Sequence, residues 1–281
     1  MGSVTEQARD SHDTVTAHLK KRLGQHILES PEMLGAIVDA AGVSEGDAVL
    51  EIGPGPGTLT RVLAQRVGPG GRVLAIELDR DWQGALDGVQ RAFPQVDVRW
   101  EDALATDLDG LLAERQWRCV ANIPYYITSP LVQKLVEARQ HFRIIALLMQ
   151  KEVAERLNAR RGRDVGSLSH YVQQHAESAI ALEVPPSAFR PPPRVDSALL
   201  LLRPLSQPRV EVPYERLRPI IAAAFAARRK MLRGTLRALA DDGAAVEAWL
   251  ARAGISPTAR AEDLLLEDWA RLARTRPGTA S

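Results

Sequence analysis

Residues 122–125 read Asn-Ile-Pro-Tyr and close an apolar run that begins at Cys119. An amide, a proline-held backbone and an aromatic ring in four consecutive positions suit one chemistry. An aromatic amino nitrogen is a poor nucleophile because its lone pair is delocalised into the ring. The Asn122 oxygen and a backbone carbonyl of Ile123 or Pro124 can accept both amino hydrogens. That draws the nitrogen toward tetrahedral geometry, and positioning of this kind can supply much of a rate. Pro124 fixes φ, lacks an N–H and biases Ile123 toward an extended conformation. Tyr125 can stack on a base, a contact worth ~1–3 kcal/mol, whereas Tyr126 reads as a packing residue.

The electrophile for such an amine is indicated by "EIGPGPGTLT", which holds Gly53, Gly55 and Gly57. A glycine-rich turn lets a ligand approach the backbone closely, but nucleotide, flavin and methyl-donor sites all use one. Here the third glycine of a dinucleotide fingerprint is replaced by Thr58, and Pro54 and Pro56 remove amides that would cradle a pyrophosphate. The turn suits a ligand without phosphates. Glu77 follows 20 residues after Gly57, where a carboxylate can accept hydrogen bonds from both hydroxyls of a ribose. Asp102 ends the next apolar run and can bind an adenine amino group. Adenine, ribose and a charged methionine without phosphate describe S-adenosylmethionine, which fits this set best.

Those residues need a frame that brings them together. From about residue 33 to 150 helical and strand-like segments alternate: "MLGAIVDAAG", "AVLEI", "TLTRVLAQRVG", "RVLAIELD", "VDVRWED", "RCVANIPYY" and "RIIALLMQ". Gly42 is a plausible cap for the first helix and Thr58 a candidate N-cap for the second. Such alternation predicts βαβ units and a parallel sheet covered by helices. In these sheets ligands bind at the carboxyl ends of the strands, where Gly53, Glu77, Asp102 and Asn122 all fall. A proline-rich loop, "EVPPSAFRPPPRVDSALLLLRP", precedes one more strand. The remainder reads as a small helical domain, beginning with one long helix over residues 216–240.

Composition excludes several classes. The chain has 281 residues, 45% hydrophobic and 25% charged, as expected of a globular protein. Its single cysteine, Cys119, rules out an internal disulfide framework. The six histidines show no metal-ligand spacing, so no metal is expected. No apolar run approaches the ~20 residues that span a bilayer, and no signal-peptide core is present. A cytoplasmic protein without membrane contact is expected. Net charge is only +1, so affinity for nucleic acid depends on where the charges lie.

Nine segments in order now identify a resemblance: "LGQHIL", "VLEIGPGPGTLT", "AIELDRD", "EDAL", "NIPYYITSPLV", "MQKEVAERL", "GSLSHYVQ", "VPPSAFRPPPRVDSALL" and "FAARRKMLRGTL". Over residues 19–270 the chain resembles the KsgA/Dim family of ribosomal RNA adenine N6,N6-dimethyltransferases. The related Erm enzymes share the N-terminal half, but the last three segments look more like KsgA. The resemblance implies a Rossmann-like class I methyltransferase domain with a mostly parallel seven-stranded sheet over residues 19–205. It also implies a small α-helical RNA-binding domain over residues 206–281, with residues 1–18 a disordered tail. Carried over residue by residue, the cofactor S-adenosylmethionine would touch His26, Leu28, Gly53, Gly55, Glu77, Asp102 and Asn122. Many bacterial relatives have Asn-Phe where this chain has His26-Ile27, which leaves a backbone role at position 26. Asn122, Pro124 and Tyr125 would carry catalysis, with Phe189 stacking on the other face of a flipped adenine.

Residues 216–240 contain seven basic residues and no acidic ones. On one helix Arg229, Arg233 and Arg237 would form a stripe suited to phosphates, joined by Arg228 and Lys230. "KKR" at 20–22 can add to it. A paired base must be flipped to reach the site, so a hairpin loop is the cheaper target. The expected function is dimethylation of two adjacent adenines in the 3′-terminal hairpin of small-subunit ribosomal RNA, by a monomer. The alternatives are an Erm-type enzyme acting on large-subunit RNA, and a ribosome-assembly or transcription factor that keeps the fold without catalysis.

Overall fold

The first strand of the sheet is all apolar except for one residue: "AVLEI", Ala48–Ile52, is buried along its whole length. Strands hidden on both faces read as continuous apolar runs, and the structure, a computed structural model describing residues 26–124 and 127–277, places this one near the centre of a seven-stranded sheet. In chain order the strands are β1 (Ile27–Leu28), β2 (Ala48–Ile52), β3 (Arg72–Glu77), β4 (Val96–Trp100), β5 (Trp117–Asn122), β6 (Phe142–Gln150), β7 (Ala176–Val184), β8 (Phe189–Arg190) and β9 (Ser197–Pro204). The helices are α1 (Pro31–Ala40), α2 (Thr58–Val67), α3 (Gln83–Ala92), α4 (Leu108–Leu112), α5 (Thr128–Glu137), α6 (Lys151–Asn158), α7 (Ser167–His175), α8 (Tyr214–Phe225), α9 (Leu232–Thr235), α10 (Gly243–Arg252) and α11 (Leu266–Arg274).

The sheet order is β4-β3-β2-β5-β6-β9-β7, and only β9 runs antiparallel to its neighbours. This is the doubly wound, mostly parallel sheet that the sequence predicts. Two apolar clusters cover its faces, one including Leu50, Cys119 and Leu147 and the other Val49, Val120 and Ala146. Consecutive residues of one strand thus feed opposite layers, as the pleat requires. β1 and β8 form a separate two-stranded ladder that ties the N-terminal segment down.

Two local expectations are corrected. Thr58 is the first helical residue of α2, and Gly57, with φ +84°, is the cap. A Cβ at Gly57 would lie 2.7 Å from the Val89 side chain on α3, so the close approach of two helices requires glycine there. The single helix over residues 216–240 is broken into α8, a turn, the four-residue α9 and a 3₁₀ segment, Leu236–Leu239. Tertiary pairing overrides helix propensity: Met231 is extended and bridges Arg260, and the Leu232 N–H donates to the Ala259 carbonyl at 2.8 Å. Arg229, Arg233 and Arg237 therefore do not form an i, i+4, i+8 stripe.

A third apolar cluster runs from Val210 to Ala273 and is built around Trp249 and Trp269, both fully buried. α7 joins it to the sheet. Trp269 donates to His170 Nε2 at 3.1 Å, and the Gln174 amide donates to the Val210 and Val212 carbonyls. Among the described residues no helix is long and apolar enough to cross a membrane, and no group of His, Cys, Asp or Glu could hold a metal ion.

Candidate active site

The sheet register lines up the chemistry. Ile52 pairs with Ile76 on one side and Ala121 on the other, so Gly53 follows between Glu77 and Asn122. Glu77 pairs with Trp100, two residues short of Asp102. Across four adjacent strand ends the order is therefore Asp102, Glu77, Gly53, Asn122. With strands about 4.8 Å apart the row spans about 14 Å, the footprint of one elongated ligand. A cavity of about 460 Å³ lies over it, lined by His26, Leu28, Gly53, Gly55, Asp102 and Pro124 together with Glu77 and Asn122. That is the size of a small-molecule site.

Each polar residue is held by its neighbours. Glu77 is buried, and its two carboxylate oxygens accept from Gly55 N–H (2.9 Å) and Asp79 N–H (2.7 Å). Burial pushes its carboxyl above the usual range, against the opposing pull of these backbone donors. Each oxygen retains capacity for a further donor, which is what a ribose diol offers. Asp102 is exposed and accepts from Leu104 N–H at 2.8 Å, folding its loop back toward the cavity. Lys134 on α5 clamps the same loop by donating to the carbonyls of Leu104 (2.7 Å) and Thr106.

Asn122 Nδ2 donates to the His26 carbonyl at 3.1 Å, and His26 Nδ1 donates to the Pro191 carbonyl at 2.8 Å. The first bond commits the amino side of the amide and leaves Oδ1 as its acceptor. It also gives position 26 the backbone role that the resemblance implied. The Pro124 carbonyl already accepts from Ile127 N–H (3.2 Å) and Thr128 Oγ1 (3.5 Å), which start α5. Its two lone pairs are engaged, so the Ile123 carbonyl is the better second acceptor. Tyr125 lies outside the described residues, as do Tyr126 and the basic stretch at 20–22.

Phe189 is not brought to the cavity. It pairs with Leu28 in the small ladder and is buried in the cluster that includes Leu28 and Leu34. Strand pairing turns its ring inward, so in this structure it anchors the segment that carries His26. Three cavity residues escaped the sequence reading: Glu51, Leu78 and Trp82. Glu51 carried a signal, an acid inside a wholly apolar strand. Its Oε2 is buried with no hydrogen-bond partner, and burial raises its pKa to about 8. Leu78 follows the strand-end acid and is 65% exposed, an apolar wall awaiting a planar ligand.

A carboxylate pair at Glu77, an orphaned acid at Glu51 and an apolar wall fit a ligand with ribose, positive charge and an aromatic base. A family model described as ribosomal RNA adenine dimethylase matches residues 16–276. The chain belongs to that family. Ribosomal RNA small subunit methyltransferase A of Shouchella clausii is 42% identical over 264 residues, covering 90% of this chain and 88% of its own. The protein of the same name from Caldanaerobacter subterraneus is 38% identical over 260 residues, covering 90% and 96%. Among solved structures, the 23S rRNA methyltransferase ErmE has a TM-score of 0.68 at 26% identity, covering 89% of this chain and 99% of that one. A dimethyladenosine transferase from Plasmodium falciparum also gives 0.68 at 26%, covering 88% and 96%. S-adenosylmethionine, the cofactor of this family, matches the donor set of the cavity.

Proposed function

We propose that the protein dimethylates N6 of two adjacent adenines in the 3′-terminal hairpin loop of small-subunit ribosomal RNA. The observation that carries this reading is the row Asp102–Glu77–Gly53–Asn122, which ends a cofactor-shaped site on an amide oriented to receive an amino group. When bound, S-adenosylmethionine supplies a methyl group on a positively charged sulfur. Glu77 accepts the ribose hydroxyls, and Asp102 accepts the adenine amino group on a loop held by Lys134. Glu51 places an acceptor beneath the positive end. At the far end, Asn122 Oδ1 and the Ile123 carbonyl accept the two hydrogens of the target amine and leave its lone pair exposed. No side chain need remove a proton before transfer, because the product cation loses one readily. A second methylation leaves one hydrogen to accept, so one acceptor suffices in that round.

We assign RNA contact to the segment from residue 206 onward. Arg229, Lys230, Arg233 and Arg237 are exposed there. Arg228 instead pairs with Glu262 at 3.4 Å and positions the turn. The protein is taken to act as a monomer in the cytoplasm. The identity to small-subunit enzymes, 42% against 26% for the large-subunit enzyme, favours the small-subunit target. Incubation with labelled cofactor and separated ribosomal subunits tests it: label is expected in small-subunit RNA as N6,N6-dimethyladenosine. Label in large-subunit RNA alone overturns the choice of subunit, and none in either overturns the enzymatic reading.

A further inference from the structure

The loop between α6 and α7, residues 159–165, reads Ala-Arg-Arg-Gly-Arg-Asp-Val. It is far in sequence from the basic turn at 228–230, yet the fold brings the two together through one residue. Gly162 N–H donates to the Glu262 carbonyl at 2.7 Å, while the Glu262 carboxylate pairs with Arg228. Met231 bridges Arg260 next door. Arg161, Arg163, Arg229, Lys230 and Arg260 are all exposed around this junction. Among the described residues none of the five makes an ion pair within 4 Å. The nearby acids are few: Glu262 is neutralised by Arg228, Asp263 caps the Arg260 backbone, and Asp164 ends the loop. Five unpaired cations that hold one another's like charge at close quarters favour a polyanion.

The surface lies well away from the cavity. Asn158 Oδ1 accepts from Ser178, and Arg160 pairs with Glu177, so the loop stands where β7 begins. The cavity edge is where β7 ends, since Val184 pairs with Ser197 and Ser197 with Gln150 at the end of β6. β7 has nine residues, which at about 3.3 Å each separates the two by about 30 Å. An RNA with a base in the cavity and phosphates on this surface must extend that far beyond the methylated loop.

We propose that Arg161 and Arg163, with the 228–230 turn and Arg260, form a second phosphate-binding surface that grips RNA about 30 Å from the methylated base. This rests on the reading of the substrate as ribosomal RNA. The loop is suited to it because Gly162, at φ +96°, turns the backbone so that arginines flank the tether to Glu262.

The test compares the wild type with Arg161→Gln/Arg163→Gln and with Arg161→Lys/Arg163→Lys, using small ribosomal subunits as the probe. Binding is measured across salt concentrations, and cofactor affinity and melting temperature report folding. Loss of two phosphate contacts should reduce the slope of log affinity against log salt by roughly 1.5–2 and weaken binding about tenfold or more at low salt. Cofactor affinity should stay at the wild-type value. The lysine variant should bind like the wild type, since a phosphate contact of this kind needs charge more than geometry. An unchanged slope and affinity in the glutamine variant overturns the proposal, as does equal loss in the lysine variant. A wild type that neither binds nor methylates small subunits overturns the substrate reading instead, so the two failures are distinct.

Discussion

Asn122 carries the argument at the scale of the residue, because two of its surroundings act on one amide. The His26 carbonyl holds Nδ2, and engagement of the Pro124 carbonyl by α5 leaves the Ile123 carbonyl beside Oδ1. Replacing Asn122 by alanine removes an acceptor that the transition state needs more than the bound RNA does. Methyl transfer should fall by about a hundredfold or more, the scale seen when one preorganised polar group is lost. RNA affinity should stay within about twofold, because phosphates dominate it. Single-turnover methylation beside filter binding separates the two, and a variant with full activity removes Asn122 from the chemistry. The motif was legible because its residue types are costly at a strand end unless they serve a purpose. The choice between two backbone carbonyls was not legible, since it depends on which one the following helix consumes.

Between elements, α5 controls the opposite end of the site. The strand that delivers Asn122 is followed by α5, and Lys134 on α5 reaches the loop after β4 that carries Asp102. The target side and the adenine side of the cavity are thereby tied through one ammonium group. Lys134→Met keeps the apolar stem but drops two charge-assisted hydrogen bonds, each worth about 1.5–3 kcal/mol at most. Cofactor binding should weaken by roughly tenfold through a looser loop, with RNA affinity unchanged. Calorimetric titration with the cofactor measures it, and wild-type affinity in the variant would show that the loop holds itself. Sequence patterning exposed the sheet and its strand ends because buried parallel strands write themselves as apolar runs. It misjudged residues 216–240, where helix-forming alanines, leucines and arginines run without a breaker before Gly234. The break comes from Met231 and Leu232 pairing with residues 259–260, a contact no local pattern encodes. Phe189 was misplaced for the same reason: its partner, Leu28, lies far back in the chain.

Over the whole molecule, buried titratable groups in the two halves set opposing pH dependences. Burial lowers the pKa of His170 to about 4, and burial with the Arg139 charge does the same to His175. Both lie on α7, where His170 accepts from Trp269 and His175 packs on Tyr171 and Tyr214. Unfolded, they take up protons near pH 6.5; folded, they resist until about 4. Stability is therefore lost as pH falls through that interval. Glu51 acts in the other direction. Burial dominates its rise to about 8, opposed by the nearby Thr60 hydroxyl and reinforced by the Glu77 charge. Between about 4.5 and 8 the unfolded chain releases this proton while the folded protein keeps it, so stability falls as pH rises. One such group changes stability by at most about 1.4 kcal/mol per pH unit. Where the intervals overlap the two histidines outweigh the one acid, and above pH 6.5 only the acid titrates. The cofactor-free protein should thus be most stable near pH 6.5, measured by urea unfolding from pH 5 to 8.5. Glu51→Gln should flatten the alkaline limb and leave the acid limb intact. A positively charged cofactor beside Glu51 favours its ionised form, so cofactor affinity should rise with pH toward 8 in the wild type and not in that variant. An alkaline limb that survives the substitution would move the effect from Glu51 to Glu77, whose carboxyl burial also raises.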